Sequence, residues 1–596
     1  MRWNVLRRSR SALCLCCILL IILLQIPPVV SIDIPEDIRY GPFIDKTVYN
    51  IIYGVGPTLL ALQVGEIDIG SIDPVYSYDF DIPSNIDIFE SPRNGYPYIR
   101  INCDQYPLNI SGFRRAFAFA FNKTKAVHYA YEGHASLHDS LVPSTNRWCS
   151  ENLLEPHYYD AEIDIANSIL DELGFSINST TGYRNAPNGD PFYVEGYSYP
   201  FYFNNRVASL AIEALDSLNI HADWFYPDFY PWELPPTWSM LLFGRDFEYD
   251  DLELDITSSN YSNDTYDFWM SEFQSGESYR EVRDAAIEIQ KILHYEVPLL
   301  VVCQSNYLQG YRTDHFQGLV VDLCRYLSGP WTLRRAHKID GMYGGILNIG
   351  LNHEPSSFNI YTTNSHMILE NLYSSLYSRD PNMNPIPDLA VSMLVETHSN
   401  NSIVPNGHMR FTFDILQNAT WSDGRTLTAE DVVFTFIYQL ESGSYDNPAA
   451  DSLGDLISIY TPSTYRVVFE FSSESYWHFN KIAYEYIIPK HIFTRIGYSG
   501  WNTWNPVFNP NEPHVTCGPF VLTNFEAGEY YELTSNPEYH WLPYRPPLSP
   551  SVTNTSTQPT TPDSIFEIVS ITLSTTYVVV IAGIILLLIK DRKHSE

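Results

Sequence analysis

Residues 419–440 (ATWSDGRTLTAEDVVFTFIYQL) constrain the fold more than any other stretch, because they specify a corner. Phe411–Ile415 alternates apolar and polar residues and leads in as a half-buried strand. Ser422-Asp423-Gly424 then supplies turn chemistry, since Asp hydrogen-bonds locally and Gly accepts a positive φ. Thr428 and Asp431 have the spacing of a capping box, and Glu430 and Asp431 suit the positive end of a helix dipole. Val433, Phe436, Ile437 and Leu440 fall on one helical face. The stretch predicts strand, turn and helix in that order.

The same alternation recurs. Asp160–Phe175 has apolar residues at helical spacing, with Gly174 as a C-cap. Ala208–Leu218 and Ala285–Leu293 are amphipathic helices; Val297–Val302 and Val467–Phe471 read as strands. The expectation is an α/β body. With 596 residues, 45% hydrophobic and 15% aromatic, the chain has material for several domains and a large core. The charge balance, 35 Lys+Arg against 70 Asp+Glu, disfavours a nucleic-acid role, because phosphate binding needs a basic footprint. The acids are spread along the chain, as on a soluble, self-repelling surface.

Both ends carry membrane signals. Arg2, Arg7, Arg8 and Arg10 precede the apolar run Ala12–Leu24, then Pro27-Pro28 and small residues near Ser31, which is the pattern of a secretory signal. Ile568–Ile589 has no charged residue and is long enough to span a bilayer. Lys590, Arg592 and Lys593 follow it and place the C-terminal tail in the cytoplasm. The expectation is a single-pass protein of the cell membrane with an extracellular ectodomain. Sequons at Asn109, Asn122, Asn178, Asn260, Asn263, Asn400, Asn418 and Asn554 agree with export. Outside the signal the cysteines are Cys103, Cys149, Cys303, Cys324 and Cys517. An odd count implies an unpaired thiol or an intermolecular bridge. Cys103–Cys149 and Cys303–Cys324 are possible pairs, but spacing does not decide pairing. Pro546–Ser564, rich in Pro, Ser and Thr, reads as an extended stalk.

Trp421-Ser422-Asp423-Gly424 with Leu427-Thr428-Ala429-Glu430-Asp431-Val432 resembles the W-x-D-G…L-T-A-E-D-V signature of the family 5 extracellular solute-binding proteins. These are the oligopeptide, dipeptide, nickel and oligosaccharide receptors of ABC importers. Ile487–Ile492 (IIPKHI), Cys517–Phe520, Ala527–Tyr530 and Asn536–Trp541 resemble further segments of the family's N-terminal half, as do Gly344–Leu351 and Ser357–Asn359. The C-terminal half lies ahead of it. Lys46–Tyr53 with Ala61–Asp68, Phe113–Lys123, Tyr159–Phe175 and residues 285–317 resemble its successive segments. The order therefore resembles a circular permutation, with Arg312–Met342 as the new joint; the alternative is a fusion of two truncated halves. Close termini on an exposed surface can be joined without disturbing a core.

The expected division is a signal peptide at 1–31 and two solute-binding regions at 32–342 and 343–545. A stalk at 546–565, a transmembrane helix at 566–589 and a tail at 590–596 follow. The resemblance implies a two-lobed, type II periplasmic-binding-protein-like α/β fold with mixed sheets. It implies closure on a solute, an oligopeptide or similar, that is handed to ABC permease and ATPase subunits. Alternatives are an oligosaccharide receptor, or a non-transport sensor or adhesion protein on the same fold. One lobe crossing is expected near Thr47–Tyr53, where the cut in the chain would soften the hinge. The candidate ligand contacts carried over are Tyr53, Asn102, Asp255, Asn359, Asn364, Cys517 and Gly518. Asp255 stands at the end of Arg245–Asp255, where peptide receptors of the family carry a Trp-rich turn that this chain lacks. The 44 Tyr and 12 Trp suit stacking on side chains or sugar faces, though most are expected to serve packing. His134 and His138 have the spacing of zinc ligands on a helix but read as surface histidines in a loop. No HExxH, G-x-S-x-G elbow, P-loop or dinucleotide fingerprint occurs, so neither an enzyme nor a cofactor is expected.

Overall fold

The computed structural model describes residues 35–72, 82–227, 238–249, 252, 254, 259–363, 365–504 and 514–543. The signal, stalk and membrane-helix expectations fall outside these residues. Among the described residues no helix is long and apolar enough to cross a membrane.

The chain opens with β1 (Lys46–Ile51), α1 (Val55–Val64), β2 (Ile69–Ile72) and β3 (Ile86–Pro92). It then enters a second lobe: β4 (Gly95–Ile101), α2 (Ser111–Ala120), α3 (Ile163–Glu172), β5 (Val194–Tyr197), α4 (Tyr202–Ser217), β6 (Ala222–Phe225), β7 (Met240–Asp246), α5 (Asp264–Ser275), α6 (Tyr279–Glu296) and β8 (Leu299–Val301). It returns to the first lobe through β9 (Gln304–Arg312), β10 (Ile346–Leu351), α7 (His366–Leu372), β11 (Ala390–Thr397), β12 (Met409–Ile415), α8 (Ala429–Ser442), β13 (Leu456–Ser463), β14 (Arg466–Phe471), β15 (Phe520–Glu526) and β16 (Tyr530–Ser535).

The central sheet is eight-stranded, in the order β15–β16–β1–β10–β2–β9–β3, with Ala135–Ser136 pairing onto β9. The front and back portions of the chain alternate across it. β1 runs antiparallel to β16, Tyr49 opposite Tyr531, and parallel to β10, Tyr49 opposite Ile349. β10 in turn runs parallel to β2. Tyr49 and Tyr531 stack at 4.6 Å between ring centroids, and neither is exposed. Their neighbours in one core include Ile69, Leu347, Ile349 and Leu533. The two portions thus share one hydrophobic interior, and neither closes that sheet without the other.

The remaining sheets follow from the same patterning. A four-stranded antiparallel sheet, β11–β12–β14–β13, packs its apolar face against α8. The capping box is present: the Thr428 side chain accepts from the first turn, and the Asp431 carboxylate accepts from the Thr428 N–H at 3.0 Å. The single-face expectation for α8 is corrected. Val432 and Phe436 belong to the four-stranded-sheet core and Tyr438 to the central-sheet core, whereas Leu440 is exposed. A helix wedged between two cores is buried on more than one face, which a one-stripe reading misses.

The second lobe is built on a five-stranded sheet, β6–β5–β7–β4–β8. Its two faces carry separate cores: Ile99 and Ile101 of β4 point into one, Tyr96 and Tyr98 into the other. That alternation is what a strand covered on both faces requires. The predicted helices recur as α3, α4 and α6, and Gly174 follows α3 with φ 88° as its cap position demands. The chain crosses between the lobes at Arg93–Asn94 and returns at Val302–Cys303. The expected crossing near Thr47–Tyr53 is corrected: β1 is held on both sides inside the central sheet, so nothing there acts as a hinge. Among the described residues the five cysteines are free thiols, and neither suggested disulfide forms.

Candidate functional site

Where the lobes face one another beside the crossing strands, the structure leaves a cleft of about 550 Å³. From the first lobe it is walled by the start of α1 (Gly54, Val55, Thr58), the end of β2 (Ser71, Ile72), β9 (Asn306, Tyr307, Leu308) and the end of β10 with Asn352. From the second lobe come Tyr96, Tyr131, His134, the first turn of α4 with Phe201–Asn204, and Arg245 and Asp246 at the end of β7. Strand ends and a helix start meet here because the pairing of β4 with β7 places Gly95 opposite Asp246, beside the crossing residue Arg93. Gly95 has no room for a side chain: an added Cβ would lie 2.2 Å from the Arg245 carbonyl oxygen.

Arg93 and Asp246 form a bidentate pair in the wall, Nε to Oδ1 at 2.5 Å and Nη2 to Oδ2 at 2.6 Å. Both side chains remain open to the cleft, 43% and 57% exposed. His134 Nδ1 lies 2.8 Å from Glu90 Oε1. Tyr131 and Phe203 stack nearly parallel at 5.1 Å, and Phe201, 64% exposed, stands free of the packed core. Ser71 donates to the Tyr307 hydroxyl at 2.6 Å, which fixes that ring in the wall. The arrangement offers aromatic faces, the Arg93 and Arg245 guanidiniums and the Asp246 carboxylate in a solvent-reached space. Among the described residues that line it, no nucleophile is hydrogen-bonded to a base.

The candidate ligand contacts read from the sequence stand elsewhere. Tyr53 is 64% exposed at the rim, next to cleft-lining Gly54. Asn102 is buried; its amide donates to the Trp238 carbonyl at 2.9 Å and its oxygen accepts from the Asp104 N–H. Asn359 is buried too, its amide tying the Trp501 and Trp504 carbonyls and its oxygen accepting from Tyr361 N–H. Cys517 is fully buried, accepting from the Ser374 N–H at 3.3 Å, and burial pushes its thiol pKa upward. Gly518 is required by close backbone packing, since a Cβ there would lie 2.6 Å from the Leu372 carbonyl carbon. These four hold the scaffold rather than the cleft wall. Asp255 and Asn364 lie outside the described residues. Of the stretch Arg245–Asp255, the first two residues, Arg245 and Asp246, line the cleft.

His134 and His138 do not share a site. His138 is corrected from a surface to a buried residue, its Nε2 2.9 Å from the Val142 carbonyl oxygen. Asp139, Glu151 and His157 bring potential ligand atoms within 4.8 Å of one another. Their oxygens are already engaged: Lys123 Nζ lies 2.5 Å from Asp139, and Glu151 accepts from the Asp139 and Ser140 N–H groups and the Tyr159 hydroxyl. An ammonium in that position does a cation's work, so the cluster reads as a satisfied buried ion-pair network.

Residues 40–271 and 384–564 match the profile of bacterial extracellular solute-binding proteins, family 5 middle. The oligopeptide-binding protein AppA of Bacillus subtilis is 29% identical over 200 residues, 33% of this chain and 34% of that protein. A putative ABC transporter peptide-binding protein of Brucella ovis is 27% identical over 136 residues, 22% of this chain and 24% of that protein. The chain therefore spans about a third or less of the length of these relatives in matched sequence. Among solved structures, AppA from Bacillus subtilis in complex with a nonapeptide aligns at TM-score 0.41 and 15% identity, covering 48% of this chain and 59% of that one. The substrate-binding protein CtaP from Listeria monocytogenes aligns at TM-score 0.40 and 18% identity, covering 49% and 58%. The two matched segments take in most of the chain, and the chain belongs to the family 5 bacterial extracellular solute-binding proteins.

Proposed function

We propose that this protein is a solute receptor that takes a short peptide into the interlobe cleft and delivers it to the permease and ATPase subunits of an ABC importer. The observation that carries the reading is the cleft itself: about 550 Å³, within the range that ligand sites occupy, and bounded by both lobes. A solute held there touches both lobes at once. It therefore favours the closed over the open arrangement, which is what a closure mechanism requires. Exposed Arg93 and Asp246 suit a zwitterion, each able to exchange its partner for one end of the ligand, while Phe201, Tyr202, Tyr131 and Tyr307 suit apolar or aromatic side chains. The peptide-binding descriptions of the relatives point the same way.

Two further parts of the proposal concern the chain's organisation. The alternation of front and back strands in the central sheet supports circular permutation over two independently folded halves. Ile568–Ile589 is proposed as the anchor that keeps the receptor beside its transporter and raises its effective concentration there.

The test is mass spectrometry of small molecules that co-purify with the full chain, followed by titration of the recovered compounds. Peptides that bind the wild type, with Asp246→Asn weakening them about tenfold, about 1.4 kcal/mol, support the reading. Recovery of sugars alone moves the ligand class to oligosaccharides. Recovery of nothing, together with no peptide-dependent rise in thermal stability, sets transport aside in favour of a sensor or adhesion role.

A further inference from the structure

The joining segment between the two portions of the chain does more than span a gap. At residues 322–326 it makes a tight turn. The Asp322 carboxylate accepts from the Cys324 and Arg325 N–H groups at 2.8 and 3.0 Å, the Tyr326 N–H donates back to the Asp322 carbonyl, and Tyr326 takes φ 56°. This turn lies against the lobe crossing. Asn94, a crossing residue only 3% exposed, donates its backbone N–H to the Tyr326 hydroxyl at 2.9 Å. Its side-chain amide donates to the Cys324 sulfur and to the Phe247 and Tyr249 carbonyls. Tyr326 also stacks on Tyr307 of β9, the returning strand, at 4.3 Å.

Arg325 extends from the turn to both lobes. Its Nη2 lies 3.5 Å from Glu370 of the first lobe and 3.9 Å from Glu248, which follows β7 in the second. Beside it Tyr249 of the second lobe donates its hydroxyl to Glu370 at 2.5 Å and sits 3.2 Å from the Tyr486 hydroxyl. The Arg325 and Arg379 guanidiniums lie 5.0 and 4.3 Å from the centre of the Tyr249 ring. The turn is in turn fastened to the first lobe by the Leu323 N–H to the Pro381 carbonyl and the Leu327 N–H to Gln309 Oε1. Only about 50 Å³ of open space remains among these groups, against about 550 Å³ in the adjacent cleft.

These contacts join the lobes through the chain's own side chains, in a position separate from the cleft. We propose that the Asp322–Tyr326 turn is a clasp, with Arg325 as its bridging residue, that holds the two lobes closed when no ligand is bound. In a clamp without such a device the ligand must supply all of the free energy that favours closure. Here part of it is built in, so the closed arrangement dominates the empty protein, and entry of a solute requires Arg325 and Tyr249 to let go first. The loop carrying Trp477 reinforces closure from another direction, its indole donating to the Phe273 carbonyl at 2.7 Å. Release of the clasp is therefore a local opening at the crossing, and the readout must be local.

The test is hydrogen–deuterium exchange of the full chain without added ligand, comparing wild type with Arg325→Ala, Arg325→Lys and Tyr249→Phe. A clasp predicts exchange at 93–97, 244–249 and 366–372 faster by about tenfold in Arg325→Ala and in Tyr249→Phe, while 46–51 and 530–535 keep wild-type protection. Arg325→Lys, which keeps the charge but loses the planar fork, falls between. The proposal is overturned by wild-type exchange at the crossing in both Arg325→Ala and Tyr249→Phe. It is equally overturned by a uniform rise in both that includes the central sheet, which would make these residues ordinary core supports. Because no ligand is present, the outcome does not depend on what the cleft binds.

Discussion

The Tyr49–Tyr531 stack is the sharpest place to test whether the two portions of the chain fold as one body. Both rings are fully buried, and they come from strands 482 positions apart that pair directly, Tyr49 opposite Tyr531. Truncating either ring to alanine removes a buried aromatic group, a loss of about 3–5 kcal/mol. The ring–ring contact itself is worth about 0.5–1.5 kcal/mol beyond area. A double-mutant cycle of Tyr49→Ala and Tyr531→Ala should therefore show a combined loss smaller than the sum of the single losses by about 1 kcal/mol. The hydroxyls add a second sign. Among the described residues neither finds a hydrogen-bond partner, and burial pushes both phenols to raised pKa values. Tyr49→Phe and Tyr531→Phe remove an unsatisfied polar atom while keeping the ring, so each should stabilise by about 1 kcal/mol. The assay is urea unfolding of the full chain followed by tryptophan fluorescence and by far-UV circular dichroism. The reasoning is refuted if the alanine losses are strictly additive, or if one substitution moves only part of a two-step transition while the other moves the rest. Either result would mean that the portions do not share a core.

Three other outcomes follow from the structure. Lys123→Met leaves Asp139 buried without its ammonium partner and should cost about 3–5 kcal/mol in chemical denaturation. Burial opposes ionisation of Asp139, but Lys123, with His294 and His157, outweighs it and holds the carboxyl below its ordinary range. The stabilisation is accordingly present above about pH 3.9 and is lost as pH falls through the lower folded-state value, a dependence the variant should lack. His514, buried and hydrogen-bonded to the Tyr373 hydroxyl, has its pKa lowered by burial to about 4. The unfolded chain binds that proton near pH 6.5 and the folded chain does not, so stability falls by about 3 kcal/mol between pH 6.5 and 4; His514→Phe should flatten that limb in a pH series of thermal melts. Gly518→Ala forces a methyl against the Leu372 backbone and should destabilise by about 1–3 kcal/mol by calorimetry, with the cleft's ligand affinity unchanged in the folded fraction.

Local chemistry was readable where one stretch carries its own instructions. The Thr428–Asp431 capping box, the Gly174 cap and the strands around Phe411 and Val467 appear as their residue types require, because each depends on neighbours within a few positions. The candidate ligand contacts fared differently. Asn102 and Asn359 sit in polar loops whose composition suits a binding site equally well, yet their amides are spent on the Trp238, Trp501 and Trp504 carbonyls. Which polar side chain faces a void and which is consumed by the backbone depends on partners more than a hundred positions away, and no local pattern records that. Arg93 and Asp246 illustrate the converse. Each looks like an unremarkable charge next to a strand, and they become a cleft feature only because β4 and β7 pair in the register that places Gly95 opposite Asp246.

By itself the amino-acid order indicated the α/β class, several of the helices and strands, and the family, since periodicity, caps and motifs are written in adjacent residues. The tertiary structure alone decided that front and back strands interleave in one sheet, that the lobe crossings fall at Arg93–Asn94 and Val302–Cys303, and that the joining turn reaches both lobes. Those outcomes rest on strand register and long-range packing, whose free energy exists only once segments distant in sequence have met.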